Sequence, residues 1–416
     1  MNAIKKWTPL FATNFLGVLN NNYLRWLIVF LCLMIFRQTD KELITMLASG
    51  LYVISYIFFS PLGGRLAKTH RKSEIMFWSK CAELVVFILA CISFTIQNIH
   101  LALFCVFAVG LISTLFSPSK YGLIRDIGGD EGISFGTGTL EMFTFLGVLI
   151  GTYLAALISD HYSLWLFAGV LIALSLMQLV SSRLLGKIQE TQTIEVKKDT
   201  LNPITFFIQS FKWAHTIPNS NIIVLGLATF WMIGNFILMN LTVHCDKVLH
   251  MTNTQTGIMM DISGLGIGIG SMLTGILSKR KVHLGFTPLG AAGMMICFAI
   301  LYFLKPTGIF FSTIVFLVSF FCGMYMVPLS SWVQHSVEGR LQGDMLAYSN
   351  FIIFLLILIS AVIFGPFVKF FDTNILWLLL LGIVLSMQIA LLINVKEMGE
   401  KTVGMFKHSA SPREAN

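Results

Sequence analysis

The chain has 416 residues, of which 56% are hydrophobic and only 12% are charged, and its formal net charge is +8. Soluble globular proteins carry about 25% charged residues, and the mean hydropathy here is +0.81. This composition excludes a soluble protein and indicates an integral membrane protein. We attribute the basic charge to membrane topology and expect no nucleic-acid partner.

Twelve segments are apolar and long enough to cross a bilayer, which requires about 20 helical residues. The first segment is too long for the apolar core of a signal peptide, and no cleavage site follows it, so we predict that it remains as a span. The predicted spans are residues 10–36, 43–64, 74–96, 101–119, 133–158, 162–184, 220–243, 255–278, 284–304, 308–333, 345–368 and 374–394.

Lysine and arginine are distributed unequally between alternate connections. If the N-terminus lies inside, most of the 28 basic residues fall on the cytoplasmic side. The positive-inside rule therefore predicts that both termini are cytoplasmic.

A long polar stretch separates the first six spans from the last six. We predict an N-terminal six-helix bundle over 1–185, a cytoplasmic linker over 186–219, a C-terminal six-helix bundle over 220–395 and a cytoplasmic polar tail over 396–416. Within the linker, FFIQSFKWA (206–214) has the pattern of an amphipathic helix that lies on the membrane surface. Basic loops follow spans 2 and 8, and prolines occur in spans 4 and 10. Such paired halves are typical of transporters with a central site.

The first span contains an unusual polar stripe. Asn14, Asn21 and Arg25 share one helix face, and Asn22 lies beside them. A lipid-facing arginine near the bilayer centre costs at least about 2.5–3.5 kcal/mol. Two explanations remain open from the sequence: the stripe joins helices by hydrogen bonds, or it faces a water-filled cavity and binds a ligand.

Other polar groups lie in or beside spans 4, 5 and 11. We predict that Pro118 bends span 4 near its end, and that Lys120 there either contacts phosphates or extends to the interface. Glu141 in span 5 requires a cationic partner, for which Arg25 and Lys120 are the candidates. Asn350 lies early in span 11.

Two further features have mainly structural interpretations. Lys80 and Glu83 are spaced to pair within one helix. The glycines of GLGIGIG (264–270) are expected to allow close helix packing and not to bind a nucleotide. The seven scattered cysteines are expected to act as small hydrophobic residues. We expect no enzyme activity, no cofactor and no metal site.

The order of several short motifs resembles a known family. The loop GRLAKTHRK (64–72) resembles the GxLADRxGRK signature of the major facilitator superfamily. Within that superfamily, several segments resemble the lysophospholipid transporter family: FLGVLNNNYLRW (15–26), SPSKYG (117–122), LEMFTFLG (140–147), GIGIGSMLTGILSKRKVHLGFTPLGAAG (266–293), VPLSSWVQH (327–335) and LAYSNF (346–351).

The resemblance implies an all-α membrane protein with twelve transmembrane helices in two bundles. It also implies movement of lysophospholipids, such as lysophosphatidylethanolamine, across the bacterial inner membrane for reacylation on the cytoplasmic side. A separate acyltransferase/acyl-carrier-protein synthetase would then be a partner. The phosphate would be bound by Arg25 and Lys120, the ammonium group by Glu141, and the glycerol hydroxyls by the asparagines at 14, 21, 22 and 350.

Three positions depart from the family pattern. Asn21 and Lys68 each stand where the family has Asp, and Asp344 stands where a basic residue is expected. We hypothesise that Lys68 and Asp344 pair as a gate of reversed polarity, with Arg65 and Arg71 in the same gating loop.

Two other functions remain open. One is a proton-coupled exporter of amphipathic drugs or metabolites, in which Glu141 carries the proton. The other is a membrane partner of an acyltransferase that transports nothing itself.

Overall fold

The computed structural model describes residues 3–32, 34–37, 41–186, 188, 202–251, 253–278, 282–337, 339–400 and 402, which form helices and short connections. A single 3-10 turn, Gly339–Leu341, precedes α11. The helices are α1 (Ala3–Phe30), α2 (Lys41–Thr69), α3 (Lys72–Thr95), α4 (Ile99–Asp160), α5 (Leu164–Leu185), α6 (Pro203–His215), α7 (Ser220–Lys247), α8 (Asn253–Leu277), α9 (Phe286–Leu304), α10 (Gly308–His335), α11 (Gln342–Phe370) and α12 (Ile375–Asn394).

Apart from α4 and α6, each of these helices coincides with one predicted span, and the differences are at the ends. The first span was expected to reach residue 36, but α1 begins at Ala3 and ends at Phe30. Among the described residues, nine helices are long and apolar enough to cross a membrane, and α1 and α2 are not among these nine. The multi-pass character is confirmed, whereas the count of twelve spans and the cytoplasmic termini remain predictions.

The fourth and fifth predicted spans correspond to two helices that meet at a kink, and we number them together as α4. Its backbone departs from helical geometry at Gly129, with φ +62° and ψ −171°. Glycine adopts positive φ without a steric penalty. The predicted end of span 4 near Pro118 was therefore wrong, because the helix continues past this proline and Lys120 lies inside it. We call residues 99–128 the first arm of α4 and residues 130–160 the second arm.

The chain divides into two compact units. Unit 1 comprises Met1–Gly129, Phe143–Lys212 and Val337–Phe351, and unit 2 comprises Asp130–Met142, Trp213–Ser336 and Ile352–Asn416. This division differs from the predicted bundles over 1–185 and 220–395, because the start of the second arm of α4 belongs to unit 2 and the start of α11 belongs to unit 1.

Several predicted features fall partly outside the described residues. Positions 189–201 of the linker, 279–281 of the second basic loop and 403–416 of the tail are among them. The helical part of the linker is described, and α6 confirms that a helix covers 206–214.

The core of unit 1 forms where α1, α3, α5 and the first arm of α4 bury apolar side chains together. Phe94 of α3 and Phe167 of α5 pack with ring centroids 4.3 Å apart. The second arm of α4 approaches α1 at Gly151, where an added Cβ would lie 2.4 Å from the Leu19 carbonyl oxygen. This contact requires glycine and brings α4 against the polar stripe of α1.

Unit 2 is packed by an equally close approach of α8 and α10. A Cβ added at Gly270 would lie 2.1 Å from the carbonyl oxygen of Phe320. Nearby, the hydroxyl groups of Ser263 and Ser319 are 2.7 Å apart. The expectation that the glycines of 264–270 serve helix packing is confirmed.

Candidate substrate-binding site

The polar stripe of α1 contacts α4 within unit 1. Asn14 donates from Nδ2 to Oγ1 of Thr144 at 2.8 Å. Two helical turns further along the same face, Asn21 donates from Nδ2 to Oγ of Ser113 at 3.4 Å. Thr144 and Ser113 lie on the second and first arms of α4, so the stripe faces protein.

Arg25 continues this stripe and is bound by neutral groups. Its Nη2 donates to Oδ1 of Asn22 at 2.9 Å, and Asn22 in turn donates from Nδ2 to the carbonyl oxygen of Val18 at 2.8 Å. The guanidinium group lies 5.7 Å from the ring centroid of Trp26. These contacts orient the cation without neutralising its charge, which suits it to binding an anionic group.

The first asparagine of the NNN run has a different environment. Asn20 is buried and donates to the carbonyl oxygen of Leu171 at 3.1 Å. Three residues later, the hydroxyl of Tyr23 donates to the carbonyl oxygen of Phe167 at 3.4 Å. This face therefore attaches α1 to α5, and the hydrogen bonds of Asn14 and Asn21 likewise join α1 to α4.

The first arm of α4 carries a second group of polar contacts in unit 1. Asn350 of α11 donates from Nδ2 to Oγ of Ser117 at 2.9 Å. Lys120, about one turn further along α4, is half-buried, and its Nζ lies 4.6 Å from the ring centroid of Tyr121. The sequence indicated Asn350 and Lys120 as site residues. It did not indicate the hydroxyl group of Ser117, because serine within an apolar helix has no distinctive pattern.

Glu141 is almost completely buried, with 1% of its surface exposed. It belongs to unit 2, whereas Arg25 and Lys120 belong to unit 1. The expected pairing of Glu141 with one of these cations therefore remains a prediction.

The predicted pair of Lys80 and Glu83 is confirmed. The Nζ atom of Lys80 lies 2.9 and 2.8 Å from the two carboxylate oxygens of Glu83. Gln178 of α5 donates to the same carboxylate at 3.1 Å, and Lys80 Nζ lies 4.0 Å from the ring centroid of Phe116. The pair thus connects α3 with α5 and α4 inside unit 1.

The hypothesised contact between Lys68 and Asp344 is also present. Lys68 Nζ lies 2.8 Å from Oδ2 of Asp344, and the two side chains are 6% and 21% exposed. Helices α2 and α11 approach each other closely here. A Cβ added at Gly64 would lie 2.8 Å from Ala347 Cβ and 3.2 Å from the Gly343 carbonyl oxygen. The reversed charges therefore form a direct pair between the end of α2 and the start of α11.

The other two predicted gating residues are Arg65 and Arg71. Arg65 is half-buried. Arg71 is exposed and lies 3.8 Å from the carboxylate of Glu74, and it donates weakly to the Gly186 carbonyl oxygen at 3.5 Å.

A third ion pair was missed from the sequence. Lys72 Nζ lies 2.8 Å from Oδ2 of Asp126, with side-chain exposures of 4% and 5%. The same ammonium group donates to the carbonyl oxygen of Gly122 at 3.2 Å. The adjacent Arg125 donates to the carbonyl oxygen of Val337 at 2.9 Å. Lys72 belongs to the loop motif GRLAKTHRK, but the sequence alone does not show that it pairs with Asp126.

Comparison with known proteins agrees with this architecture. The chain is 22% identical over 293 residues to "Lysophospholipid transporter LplT" of Photorhabdus laumondii, covering 68% of this chain and 69% of the relative. It is 24% identical over 306 residues to "Uncharacterized MFS-type transporter YceJ" of Bacillus subtilis, covering 72% and 73%. These relatives confirm the resemblance inferred from the motifs.

The fold is shared with a solved structure, a bacterial homologue of the iron transporter ferroportin in an outward-facing state. The TM-score is 0.70 at 14% identity, and the alignment covers 95% of this chain and 99% of that chain. The family profile described as Major Facilitator Superfamily matches residues 10–361. The relatives and structural neighbours are transporters and not enzymes. The chain belongs to the Major Facilitator Superfamily and is a secondary transporter.

Proposed function

We propose that this transporter moves lysophospholipids, such as lysophosphatidylethanolamine, across the bacterial inner membrane. The observation that carries the proposal is the cation Arg25, which Asn22 orients inside a membrane-length helix through a neutral hydrogen bond of 2.9 Å. Relatives named lysophospholipid transporters support this choice of substrate. Transport would proceed by alternating access of two six-helix bundles, with both termini cytoplasmic.

The proposed roles follow from the chemistry of the head group. Arg25 binds the phosphate, since guanidinium groups form strong charge-assisted hydrogen bonds with phosphate oxygens. Asn14, Asn21 and Asn22 supply amide groups for the glycerol hydroxyl. The Oδ1 atom of Asn21 is buried and accepts no hydrogen bond from the described part of the chain, so this acceptor remains available to a ligand.

The remaining predicted site residues have roles that we retain as part of the proposal. Lys120 is a second phosphate contact, Asn350 is a polar contact at the start of α11, and Glu141 binds the ammonium group or balances the cations. The gating role of Lys68 and Asp344, together with that of Arg65 and Arg71, belongs to the same proposal. A separate acyltransferase would use the transported lysolipid.

The test is flipping of labelled lysophosphatidylethanolamine in liposomes that contain only this protein. We expect wild type to flip the lipid and Arg25→Ala to slow it roughly ten- to a hundredfold, since a hydrogen bond to a charged group contributes about 1.5–3 kcal/mol. Arg183→Ala is the matched control, because Arg183 is also an arginine near an aromatic ring but is exposed on α5.

Three outcomes would contradict parts of this proposal. Absence of flipping by folded wild type would exclude lysolipid transport and favour the non-transporting partner. Equal rates for Arg25→Ala and Arg183→Ala would remove Arg25 from the site. Flipping that stops when the proton gradient is collapsed, and that becomes insensitive to the gradient in Glu141→Gln, would assign Glu141 to proton coupling instead of head-group binding.

A further inference from the structure

We propose that α6 is a membrane-binding helix that attaches the start of α11 to the phospholipid surface. The helix exposes three large apolar side chains, Ile204, Ile208 and Phe211, whose exposed fractions are 70%, 47% and 47%. Their spacing of four and three residues places them on one face. All three are therefore among the exposed large apolar side chains of the protein.

Six other positions of α6 form two further sectors. Phe206, Ser210 and Ala214 are buried against the protein. Thr205, Gln209 and Lys212 are exposed and polar, and they lie next to the apolar face. A helix with one face toward protein, one apolar exposed face and one polar exposed face is suited to the boundary between protein, lipid and water.

The position of α6 in the chain places it beside the membrane. Its C-terminal end is bonded to the beginning of α7, since Ser220 donates from its hydroxyl to the carbonyl oxygen of Ala214. The amide of Ile217 donates to the same oxygen at 3.0 Å. Because α7 is long and apolar enough to cross a membrane, the end of α6 lies where that span begins.

A phospholipid surface is therefore the occupant that fits the exposed face. The face is continuous in the chain with a membrane span, and the outward side chains beside it are polar with a lysine, Lys212. A lysine at this level can approach the anionic head groups of the leaflet. The alternative occupant, a second protein, would have to reach into the head-group layer to cover the same three side chains.

Phe207, which lies between the apolar exposed face and the buried sector of α6, contacts α11 within unit 1. The ring of Phe207 lies 6.4 Å from the ring centroid of Tyr348 and 5.4 Å from that of Phe351, with interplanar angles of 28° and 23°. Tyr348 is one helical turn after Asp344, which pairs with Lys68. Binding of α6 to lipid would therefore hold the turns of α11 that carry this ion pair.

The first test is a spin-label scan of full-length protein in vesicles of phosphatidylcholine with phosphatidylglycerol. Single cysteines would be placed at positions 204, 208 and 211 and, as matched controls, at 205, 209 and 212, in a background from which the seven native cysteines have been removed. We expect labels on the apolar face to collide with oxygen and labels on the polar face to collide with a water-soluble nickel complex.

Two results would overturn lipid binding. Equal collision of all six labels with the nickel complex would show that the apolar face lies in water. Protection of the apolar positions from both reagents would show that a protein covers them.

The second test separates the α11 contact from membrane binding. Phe207→Ala should accelerate amide hydrogen exchange in the first turns of α11 roughly two- to tenfold, the range expected for losing aromatic pairs. Gln209→Ala is the control and should leave that exchange unchanged. Equal exchange in the two variants would overturn the link to α11. Neither test depends on the transported substrate, so a failure here is distinguishable from a failure of the lysolipid proposal.

Discussion

The two units stabilise their interiors by different polar contacts. Unit 1 contains three ion pairs with little exposure to solvent: Lys68–Asp344, Lys72–Asp126 and Lys80–Glu83. Unit 2 contains neutral contacts between helices: Ser263–Ser319, Gln334–Thr137 and Asn235–Ser360. Both units also use glycine to bring helix backbones together. Among the described residues, the three ion pairs with little exposure belong to unit 1, and the contact between His335 and Asp130 in unit 2, at 3.5 Å, is exposed to solvent.

This difference has a physical consequence. Charges removed from water are stable only when they are paired and hydrogen-bonded, so each ion pair of unit 1 depends on both partners. Neutral hydrogen bonds contribute only about 1 kcal/mol each. We therefore expect unit 1 to be much more sensitive than unit 2 to the loss of one polar side chain.

The largest effect is expected at Lys80 and Glu83. Glu83→Gln leaves the buried ammonium group of Lys80 without its counter-charge and should lower the free energy of unfolding by about 3–5 kcal/mol. The double variant Lys80→Met with Glu83→Gln removes both charges and should recover most of this loss. Thermal unfolding in detergent micelles measures both changes.

The matched control for this experiment is Ser263→Ala in unit 2. It removes one neutral contact with Ser319 and should cost about 1 kcal/mol. If Glu83→Gln cost no more than this control, the contrast between the units would have no energetic basis.

A smaller effect, equal in both units, is expected from the glycine contacts. Gly151→Ala in unit 1 places a Cβ 2.4 Å from a carbonyl oxygen, and Gly270→Ala in unit 2 places one at 2.1 Å. Overpacking of this kind costs about 1–3 kcal/mol, which a shift of the unfolding midpoint would report. Gly234→Ala is the control, since a Cβ there meets no atom within 4 Å. A large loss of stability in only one unit would show that the two units differ in their packing as well as in their charged contacts.

The smallest effect on stability is expected at the partly exposed pair of Lys68 and Asp344. Because Asp344 is 21% exposed, we expect a loss of about 1 kcal/mol or less from Lys68→Ala. Transport is the more sensitive measurement. Lys68→Asp places two negative charges together. It should slow flipping about fivefold or more, since each 1.4 kcal/mol by which charge repulsion raises the transport barrier corresponds to a factor of ten in rate.

The charge-reversed variant tests whether polarity matters at this gate. Lys68→Asp combined with Asp344→Lys restores the polarity of the family motif and should transport faster than Lys68→Asp alone. Equal rates for the single and double variants would show that the pair has no role in gating.

Much of the fold was predictable because apolar length determines which segments can cross a bilayer. The predicted segments agree with α3, α5 and α7–α12 to within a few residues. The position of the kink in α4 was not predictable, since Pro118 is a stronger helix-breaking signal than Gly129. A proline inside a membrane helix is tolerated when neighbouring helices satisfy the released carbonyl.

The candidate site was predictable where a polar residue is conspicuous in an apolar run. Asn14, Asn21 and Arg25 were identified in this way, and the i, i+3 spacing of Lys80 and Glu83 identified a pair within one helix. Lys68 and Asp344 were paired only through the resemblance to a family, in which both positions depart from the pattern.

By itself, the sequence determined that this protein is a multi-pass membrane protein, since composition and apolar length depend on no contact between distant residues. It also determined the helical periodicity that puts Asn14, Asn21 and Arg25 on one face. Only the tertiary structure decided that Asn20 joins α1 to α5 while its neighbours face α4, and that Lys72 pairs with Asp126. Partners separated by 54 or 151 residues meet only after the helices pack, because their contact depends on which helices become neighbours.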